Sequence, residues 1–284
     1  MSALVVLAAG RARRYGGVKP LAPIGPNGEA VIDLLAGDAL RAGFSRIVLV
    51  VNPDTGGLIR DHVASSWPGD VDVAFGVQER PVGTVDAVLA ASAAVDHGEP
   101  FGVANADDLY GADALEVLGR HLGSVATNCL VAFRLDRALV GDLPVTRGVC
   151  TVRGGELLSI SERRQVRATP EGFRSGDGLE PSMLDASTLV SMNLWGFEPA
   201  MWDVLADAMR RATDASEEAE VLLPELVGAL VGGAHGEALR HFAVLSTTSS
   251  CIGVTHPDDL ELVRAEIAAQ VASGERPADA FPGG

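Results

Sequence analysis

The stretch 3–20, ALVVLAAGRARRYGGVKP, indicates the fold more directly than any other part of the chain. Its apolar run, residues 4–9, is continuous rather than alternating, which is typical of a strand buried on both faces of a parallel sheet. Gly10 then opens a loop that carries four cations, Arg11, Arg13, Arg14 and Lys19. The opening therefore predicts an α/β protein whose first loop binds an anion.

The remaining periodicity alternates between strand and helix patterns. Strands are predicted at 47–51, 71–77, 101–104, 129–135, 149–152, 188–194 and 241–245. Helices are predicted at 32–40, 85–95 with Thr84 as N-cap, 200–211, 220–231 and 257–273. This order favours a Rossmann-like mixed, mostly parallel sheet flanked by helices, which binds ligands at the carboxyl ends of its strands.

Two stretches are expected to lack regular structure. Residues 162–182 are polar and contain several Gly and Arg, so a long loop is predicted there. Residues 274–284 are predicted to be a flexible tail. The rest, 1–273, is expected to form one domain with halves of about 1–125 and 126–273.

The charge balance argues against a nucleic-acid-binding protein. The chain has 22 Lys+Arg against 38 Asp+Glu, a net charge of −16 and only 5% aromatic residues, whereas such a protein presents a basic face to the phosphates. Lys19 is the only lysine, and it lies in the one loop where cations cluster. That local positive site suits a small anion such as a phosphorylated metabolite.

The cysteines and the apolar runs limit the cellular location. Cys129, Cys150 and Cys251 are far apart and odd in number, so neither a disulfide framework nor a zinc site is indicated. The first apolar run is too short to span a bilayer and no charge precedes it, unlike a signal peptide. A cytoplasmic protein without membrane contact is therefore expected.

The first loop departs from two common phosphate-binding patterns. Ala12 and Tyr15 occupy the second and third glycine positions of a dinucleotide fingerprint, and 18–20 lacks the Gly-Lys-Ser/Thr of a P-loop. What remains is a loop of small residues whose amides can approach an anion, flanked by Arg14 and Lys19. A solvated surface turn fits the loop chemistry equally well.

Several segments, in order, resemble the sugar-1-phosphate nucleotidyltransferases of the MobA-like NTP transferase superfamily. The family signature L-A-A-G-x-G-T-R, followed by K-P, is matched by Leu7-Ala8-Ala9-Gly10-Arg11-Ala12-Arg13-Arg14 and Lys19-Pro20. Gln78-Glu79-Arg80-Pro81-Val82-Gly83-Thr84 is similar to the base-recognition segment Q-x-x-P-x-G-T. Asn105-Ala106-Asp107-Asp108-Leu109-Tyr110-Gly111 resembles the strand-end aspartate motif.

Later segments resemble the sugar-binding half of the family. They are Arg147-Gly148-Val149-Cys150, Ser161-Glu162-Arg163 and Ser191-Met192-Asn193-Leu194-Trp195-Gly196-Phe197. Taken singly, each of these segments is more often structural than functional. The resemblance nevertheless extends from Ala3 to about Leu262, and it implies the glycosyltransferase A-type nucleotidyltransferase fold.

The resemblance implies a Mg²⁺-dependent transfer of a nucleotide, with UTP or dTTP favoured by Gln78, to a sugar 1-phosphate. The implied catalytic residues are Arg14, Lys19 and Asp107, with Asp107 as the metal ligand. The implied nucleotide-binding residues are Leu7, Ala9, Gly10, Ala12, Gln78, Gly83 and Thr84. The implied sugar-phosphate-binding residues are Gly148, Glu162, Arg163 and Asn193.

One departure affects the metal site. Gly253 stands where the family usually has an aspartate that acts as a second metal ligand. Thr255, Asp108 and Asp258 are the candidates to replace it. Mg²⁺ in other proteins is often held by one or two carboxylates together with substrate phosphates, so Asp107 with phosphates and water is a further alternative.

Three other functions remain open at this point. A glycosyltransferase would use an Asp-x-Asp motif, whereas Asp107 and Asp108 are adjacent and the cationic loop would have no role. A nucleotidyltransferase could use a non-sugar phosphate acceptor. A non-catalytic regulatory protein could bind a nucleotide-sugar, as the departures at Ala12 and Gly253 allow.

Overall fold

The computed structural model describes residues 2–10, 17–139, 143–216, 218–233, 239–254 and 259–281. Its strands are β1 (Ala3–Leu7), β2 (Arg46–Val51), β3 (Val73–Val77), β4 (Phe101–Asn105), β5 (Asp108–Leu109), β6 (Cys129–Arg134), β7 (Val145–Arg153), β8 (Glu156–Thr169), β9 (Gly172–Arg174), β10 (Met183–Leu184), β11 (Leu189–Phe197), β12 (Ala243–Ser246) and β13 (Ile252–Gly253). Its α-helices are α1 (Val31–Arg41), α2 (Gly56–Ser66), α3 (Thr84–Leu89), α4 (Ala112–Ser124), α5 (Met201–Ala215), α6 (Leu223–Val231) and α7 (Asp259–Ser273). Within these ranges, no helix is long and apolar enough to cross a membrane.

Most strands join one mixed sheet of 11 strands in the order β10-β9-β8-β12-β6-β11-β4-β1-β2-β3, with β7 paired to β11 and β8. Strands β1 to β4 pair in parallel, whereas β11 lies antiparallel between β4 and β6. Strands β5 and β13 form a separate antiparallel pair. The predicted mixed α/β sheet flanked by helices is confirmed, but the sheet is not mostly parallel. Its parallel pairs are β1–β2, β1–β4, β2–β3 and β6–β12, and the other described pairs are antiparallel because β7 to β11 are joined largely as antiparallel ribbons.

Strand β1 shows how the sheet is buried on both faces. Leu4 and Val6 belong to one hydrophobic core, together with residues of α1 and α4. Val5 belongs to a second core, together with residues of α3 and α5. The three side chains are at most 1% exposed, so the continuous apolar run is a strand covered on both faces, as predicted.

In the polar stretch 162–182, predicted to be a long loop, residues 162–169 and 172–174 are strand, whereas 175–182 have no regular structure. Strand β8 continues to Thr169 and pairs antiparallel with β7 as far as Val166 and with β9 from Arg167 onward. Most of its residues are exposed or half-buried. The loop prediction is wrong for the first part of the stretch, because an antiparallel ribbon with an exposed face needs few apolar residues.

The helix predicted at 85–95 is shorter, and Thr84 is not its N-cap. Gly83, with φ of 103°, precedes the helix, and Thr84 is its first residue. The hydroxyl Oγ1 of Thr84 accepts a hydrogen bond from the N–H of Leu223 at 2.8 Å. The side chain therefore caps α6, a helix far away in the sequence, which the local pattern does not reveal.

The stretch after α7, expected to be a flexible tail, is anchored as far as Phe281. Nη1 of Arg276 lies 2.7 Å from Oδ2 of Asp38 in α1, and both side chains are at most 5% exposed. The ring of Phe281 packs on Trp67 with 5.3 Å between the ring centroids. An ion pair and an aromatic contact therefore hold this segment against the domain, and residues 282–284 lie outside the described residues.

We predict that Arg276→Ala lowers the free energy of unfolding by about 3 kcal/mol, because it leaves the buried Asp38 with only Arg41, 3.6 Å away, as an ionic neighbour among the described residues. Urea denaturation followed by circular dichroism measures the change. The control is Arg210→Ala, which removes an exposed ion pair with Asp207 on α5 and is expected to cost about 1 kcal/mol or less. Equal losses from the two variants would contradict the buried anchor.

Candidate active site

Two loops at one edge of the sheet bring opposite charges together. Strands β1 and β4 pair in parallel with Leu7 opposite Asn105, so the segments that follow them start side by side. Nζ of Lys19 lies 3.7 Å from Oδ2 of Asp107, and the two side chains are 16% and 40% exposed. An ammonium group and a carboxylate therefore face the same cleft.

Four of the residues proposed from the sequence lie outside the described residues. They are Ala12 and Arg14 in the first loop, and Thr255 and Asp258 after β13. Their roles remain those that the resemblance implies.

A cavity of about 320 Å³ lies beside this charge pair, and we call it the loop-side cavity. Its lining includes Leu7, Ala9, Gly10, Gln78, Gly83, Thr84 and Asp107. A smaller cavity of about 120 Å³ shares Leu7, Gly10 and Asp107 with it and reaches Lys19. The fold thus gathers every described residue that the sequence predicted to bind a nucleotide.

A second cavity of about 290 Å³ has β7 and β8 as one wall, and we call it the hairpin-side cavity. Its lining includes the predicted Gly148, Glu162 and Asn193, and also Arg147, Asp108, Pro224 and Glu225. Thr84 and Asn105 line both cavities. The two cavities therefore meet at the carboxyl end of β4, with Asp107 in the loop-side cavity and Asp108 in the hairpin-side cavity.

Gln78 shapes the loop that it belongs to. Its side chain is buried, and Nε2 donates to the carbonyl of Gly83 at 2.9 Å and to Oδ2 of Asp86 at 3.1 Å. These two bonds hold the turn before α3 in place, so the amide nitrogen that was expected to face a base is directed into the protein.

Arg163, predicted to clamp a sugar phosphate, faces away from the hairpin-side cavity. Its side chain is 4% exposed, and its guanidinium forms a bidentate pair with Asp177 at 2.8 and 3.2 Å. The same group donates to Oγ of Ser175 and to the carbonyls of Leu179 and Pro181. The prediction for Arg163 fails because these contacts hold its guanidinium on Asp177 and the adjoining loop, whereas its neighbour Glu162 lines the cavity.

Asn193 lies at a bulge in β11. The register of β11 against β6 shifts between Ser191 and Trp195, and Asn193 adopts a left-handed φ of 59°. Its Oδ1 accepts a hydrogen bond from Nε1 of Trp195 at 3.3 Å. A bulge re-aims side chains locally, and here it leaves Asn193 on the cavity wall.

Tyr110 ties the acidic segment to this bulge, and the sequence reasoning missed its role. The buried hydroxyl accepts a hydrogen bond from the N–H of Asn105 and donates one to the carbonyl of Met192, each at 2.9 Å. Burial raises the pKa of Tyr110 well above its ordinary value, so the hydroxyl keeps the proton that it donates. The presence of a tyrosine within the strand-end aspartate motif was the sequence signal that could have indicated this role.

Asp108 occupies the space next to Gly253. Its Oδ2 accepts a hydrogen bond from Nδ2 of Asn105 at 2.9 Å, and a Cβ at position 253 would lie 2.4 Å from its Oδ1. Burial and the neighbouring Asp107 raise the pKa of Asp108 to about 7. Burial also raises the pKa of Asp107, although Lys19 offsets part of the rise. Gly253 is therefore the residue that leaves room for the Asp108 carboxylate.

Arg147 is a cation of the hairpin-side cavity that the sequence reasoning did not single out. Its Nε and Nη2 donate to the carbonyl of Ala138 at 3.1 and 2.7 Å, and its Nη1 donates to the carbonyl of Thr146 at 2.9 Å. Burial lowers its pKa, and the field of Asp108 opposes that change. Its position directly before Gly148 in a matched segment was the available signal.

The carboxylate oxygens at the junction of the two cavities suit a cation that also binds substrate phosphates. Among the described residues, no group of three or more His, Cys, Asp or Glu side chains could hold a metal ion. Asp107 and Asp108 are nevertheless adjacent carboxylates at the junction of two cavities. Mg²⁺ typically takes one or two carboxylates and completes its shell with phosphate oxygens and water, so these residues fit Mg²⁺.

A family model, the MobA-like NTP transferase domain, matches residues 4–216. No curated protein matches the sequence significantly. Similar solved structures include an assigned glucose-1-phosphate thymidylyltransferase from Bacillus anthracis in complex with sucrose, with a TM-score of 0.68 and 12% identity over 94% of this chain and 95% of that chain.

Two further structures have the same fold. The inositol-1-phosphate CTP transferase from T. maritima has a TM-score of 0.67 and 14% identity, with 94% of this chain and 96% of that chain covered. A UDP-glucose pyrophosphorylase in complex with UDP-glucose has a TM-score of 0.66 and 15% identity, with 95% of this chain and 99% of that chain covered.

We predict that Arg163→Ala lowers the free energy of unfolding by more than a matched exposed variant does, because it removes a buried guanidinium that donates to Asp177, Ser175 and two backbone carbonyls. The midpoint and slope of urea denaturation give this value. Arg164→Ala is the matched control, since that neighbouring side chain is 71% exposed and its loss is expected to cost about 1 kcal/mol or less. A stable Arg163→Ala variant that only binds its acceptor more weakly would restore the original assignment.

Proposed function

Because the chain belongs to the MobA-like NTP transferase family, we propose that it transfers a nucleotide from a nucleoside triphosphate to a sugar 1-phosphate and releases pyrophosphate. The observation that carries the proposal is the meeting of two cavities at Asn105, with Lys19 and Asp107 on one side and Asp108 on the other. Such a junction suits two phosphorylated substrates that must be brought into contact.

The loop-side cavity suits the triphosphate. Leu7, Ala9 and Gly10 line it at the end of β1, where small residues let backbone amides approach an anion. Lys19 is a cation on the phosphate side, and Arg14 is proposed to join it on the strength of the resemblance. Gln78 and Gly83 line the other end, where the base would lie. The resemblance alone, and not the Gln78 amide nitrogen, supports UTP or dTTP as the donor that we propose.

The hairpin-side cavity suits the acceptor. Glu162 and Asn193 line it, and a carboxylate and an amide can both hydrogen-bond hydroxyl groups. Gly148 lets a ligand approach the backbone of β7 closely. Arg147 takes the place proposed for Arg163 as the cation nearest to the acceptor phosphate, since a guanidinium pairs readily with phosphate oxygens.

The proposed reaction is one in-line displacement. A phosphate oxygen of the acceptor attacks the α-phosphorus of the triphosphate, the bond from that phosphorus to the bridging oxygen breaks, and pyrophosphate leaves with its electron pair. The attacking oxygen is already anionic, so the step needs no general base. Catalysis then consists of aligning two polyanions and neutralising their repulsion, for which Lys19 is positioned.

Asp107 and Asp108 are proposed to hold Mg²⁺ together with the substrate phosphates. The ion would supply positive charge against the phosphate oxygens. Gly253 cannot act as the usual second ligand because it has no side chain, and the space beside it is filled by Asp108.

The three free cysteines suit the reducing cytoplasm that we propose as the location.

A pyrophosphate-release screen tests the function. ATP, GTP, CTP, UTP and dTTP are each combined with Mg²⁺ and a panel of phosphates that includes glucose 1-phosphate, glucosamine 1-phosphate and inositol 1-phosphate. Turnover with a sugar 1-phosphate and UTP or dTTP supports the proposal. Turnover only with inositol 1-phosphate would favour a non-sugar acceptor, and tight nucleotide-sugar binding without turnover would favour a regulatory protein.

We predict that Lys19→Ala and Asp107→Asn each lower turnover by at least about two orders of magnitude, because each removes a charge that faces the reacting phosphates. Initial rates of pyrophosphate release measure the effect. Arg210→Ala and Asp207→Asn, which change the same charges on the exposed face of α5, serve as controls and should keep the wild-type rate. Wild-type rates in the Lys19 and Asp107 variants would refute the assignment.

We predict that Asp108→Ala weakens Mn²⁺ binding in the presence of UTP by at least about tenfold, the scale that loss of one supporting group reaches at metal sites. Electron paramagnetic resonance of free Mn²⁺ measures the affinity.

Gly253→Asp alone is expected to destabilise the protein, because its side chain would collide with Asp108. Combined with Asp108→Ala, it should restore Mn²⁺ binding, and unchanged binding in Asp108→Ala would exclude Asp108 as a ligand.

A further inference from the structure

Helix α6 begins without a capping side chain of its own. Its N-cap residue is Leu222, which makes no side-chain cap hydrogen bond, and Pro224 has no N–H to satisfy. The N–H of Leu223 donates instead to Oγ1 of Thr84 at 2.8 Å. The start of α6 is therefore held by a residue of the segment that lines the loop-side cavity.

Backbone hydrogen bonds reinforce this link. The N–H of Val221 donates to the carbonyl of Val82, and the N–H of Val85 donates to the carbonyl of Val221, each at 3.1 Å. Gly83 lies between these contacts, and a Cβ there would be 2.2 Å from the carbonyl oxygen of Val221. The two segments are thus too close for any side chain at position 83, and they have little freedom to move separately.

The linked segments together line both cavities, and Glu220, which directly precedes Val221, lies in the loop-side cavity. Gln78 and Gly83 line the loop-side cavity, whereas Leu222 and Pro224 line the hairpin-side cavity. Thr84 lines both. A ligand that holds the first set in place therefore acts, through one side-chain hydrogen bond and two backbone ones, on the wall of the second cavity.

We propose that Thr84 is a positioning residue that couples the two cavities, so that a nucleotide in the loop-side cavity orders the start of α6 and raises the affinity of the hairpin-side cavity for the acceptor. The identity of the two ligands rests on the proposed function. Since such coupling is reciprocal in binding free energy, the acceptor tightens nucleotide binding by the same factor.

Hydrogen exchange of the wild-type protein, measured by mass spectrometry, tests the link without an acceptor. The probes are Mg²⁺ with the α,β-methylene analogues of UTP, dTTP and CTP, which bind but cannot react. Slower exchange is expected in peptides that cover 78–86 and also in those that cover 221–231. Protection confined to 78–86 would overturn the coupling and leave nucleotide binding intact. No protection by any analogue would overturn the proposed function as well.

A matched pair of variants tests the role of the hydroxyl. Thr84→Val removes the oxygen that accepts from Leu223 but keeps the size of the side chain, and Thr84→Ser keeps the oxygen. Calorimetry gives the Kd of glucose 1-phosphate with and without the UTP analogue. In the wild type and in Thr84→Ser, the Kd without the analogue is expected to be about fivefold to tenfold larger than the Kd with it, which corresponds to the free energy of one capping hydrogen bond. In Thr84→Val, the ratio of the two Kd values is expected to be near one.

A purely structural role of Thr84 would have a different signature. It would lower the Tm of Thr84→Val but leave the ratio of Kd values unchanged, and that result overturns the proposal. If Thr84→Val does not fold, the exchange experiment on the wild-type protein decides the matter by itself.

Discussion

The parallel pairing of β1 with β4 is the constraint on which the candidate site depends. It places Leu7 opposite Asn105, so the cationic loop and the acidic segment start at the same edge of the sheet. Side chains that are almost 90 positions apart, Lys19 and Asp107, thereby come within 3.7 Å. In a chain with a net charge of −16, this edge brings an ammonium group to a place where phosphates can meet carboxylates.

Buried hydrogen bonds then connect the two halves around that edge. Tyr110 joins the end of β4 to the bulge of β11, and Thr84 joins the base of α3 to α6. Each bond uses a side chain near the carboxyl end of the parallel strands to position an element of the second half. The hairpin-side cavity therefore owes its shape to residues of the first half.

The sequence predicted the sheet edge well because the signals there are local. Apolar runs mark β1, β2 and β4, and the residues that follow a parallel strand must lie at its carboxyl end. Glu162 and Arg163 show where this reasoning stops. The motif contains both residues, but the register of β8 decides that Glu162 faces the cavity and Arg163 faces Asp177, and a shift of one residue reverses the two faces.

By itself, the sequence determined the class of fold, most of its strands and helices, the family resemblance and the set of residues at the ends of the parallel strands, but it did not reveal α2, α4 or β8. These follow from periodicity, charge and short motifs, which are properties of neighbouring residues. Only the tertiary structure decided that Arg163 supports a loop, that Asp108 fills the space at Gly253, and that Arg276 anchors the last segment on Asp38. Those outcomes depend on which distant groups share a low-dielectric interior, where an unpaired charge or side-chain donor is costly.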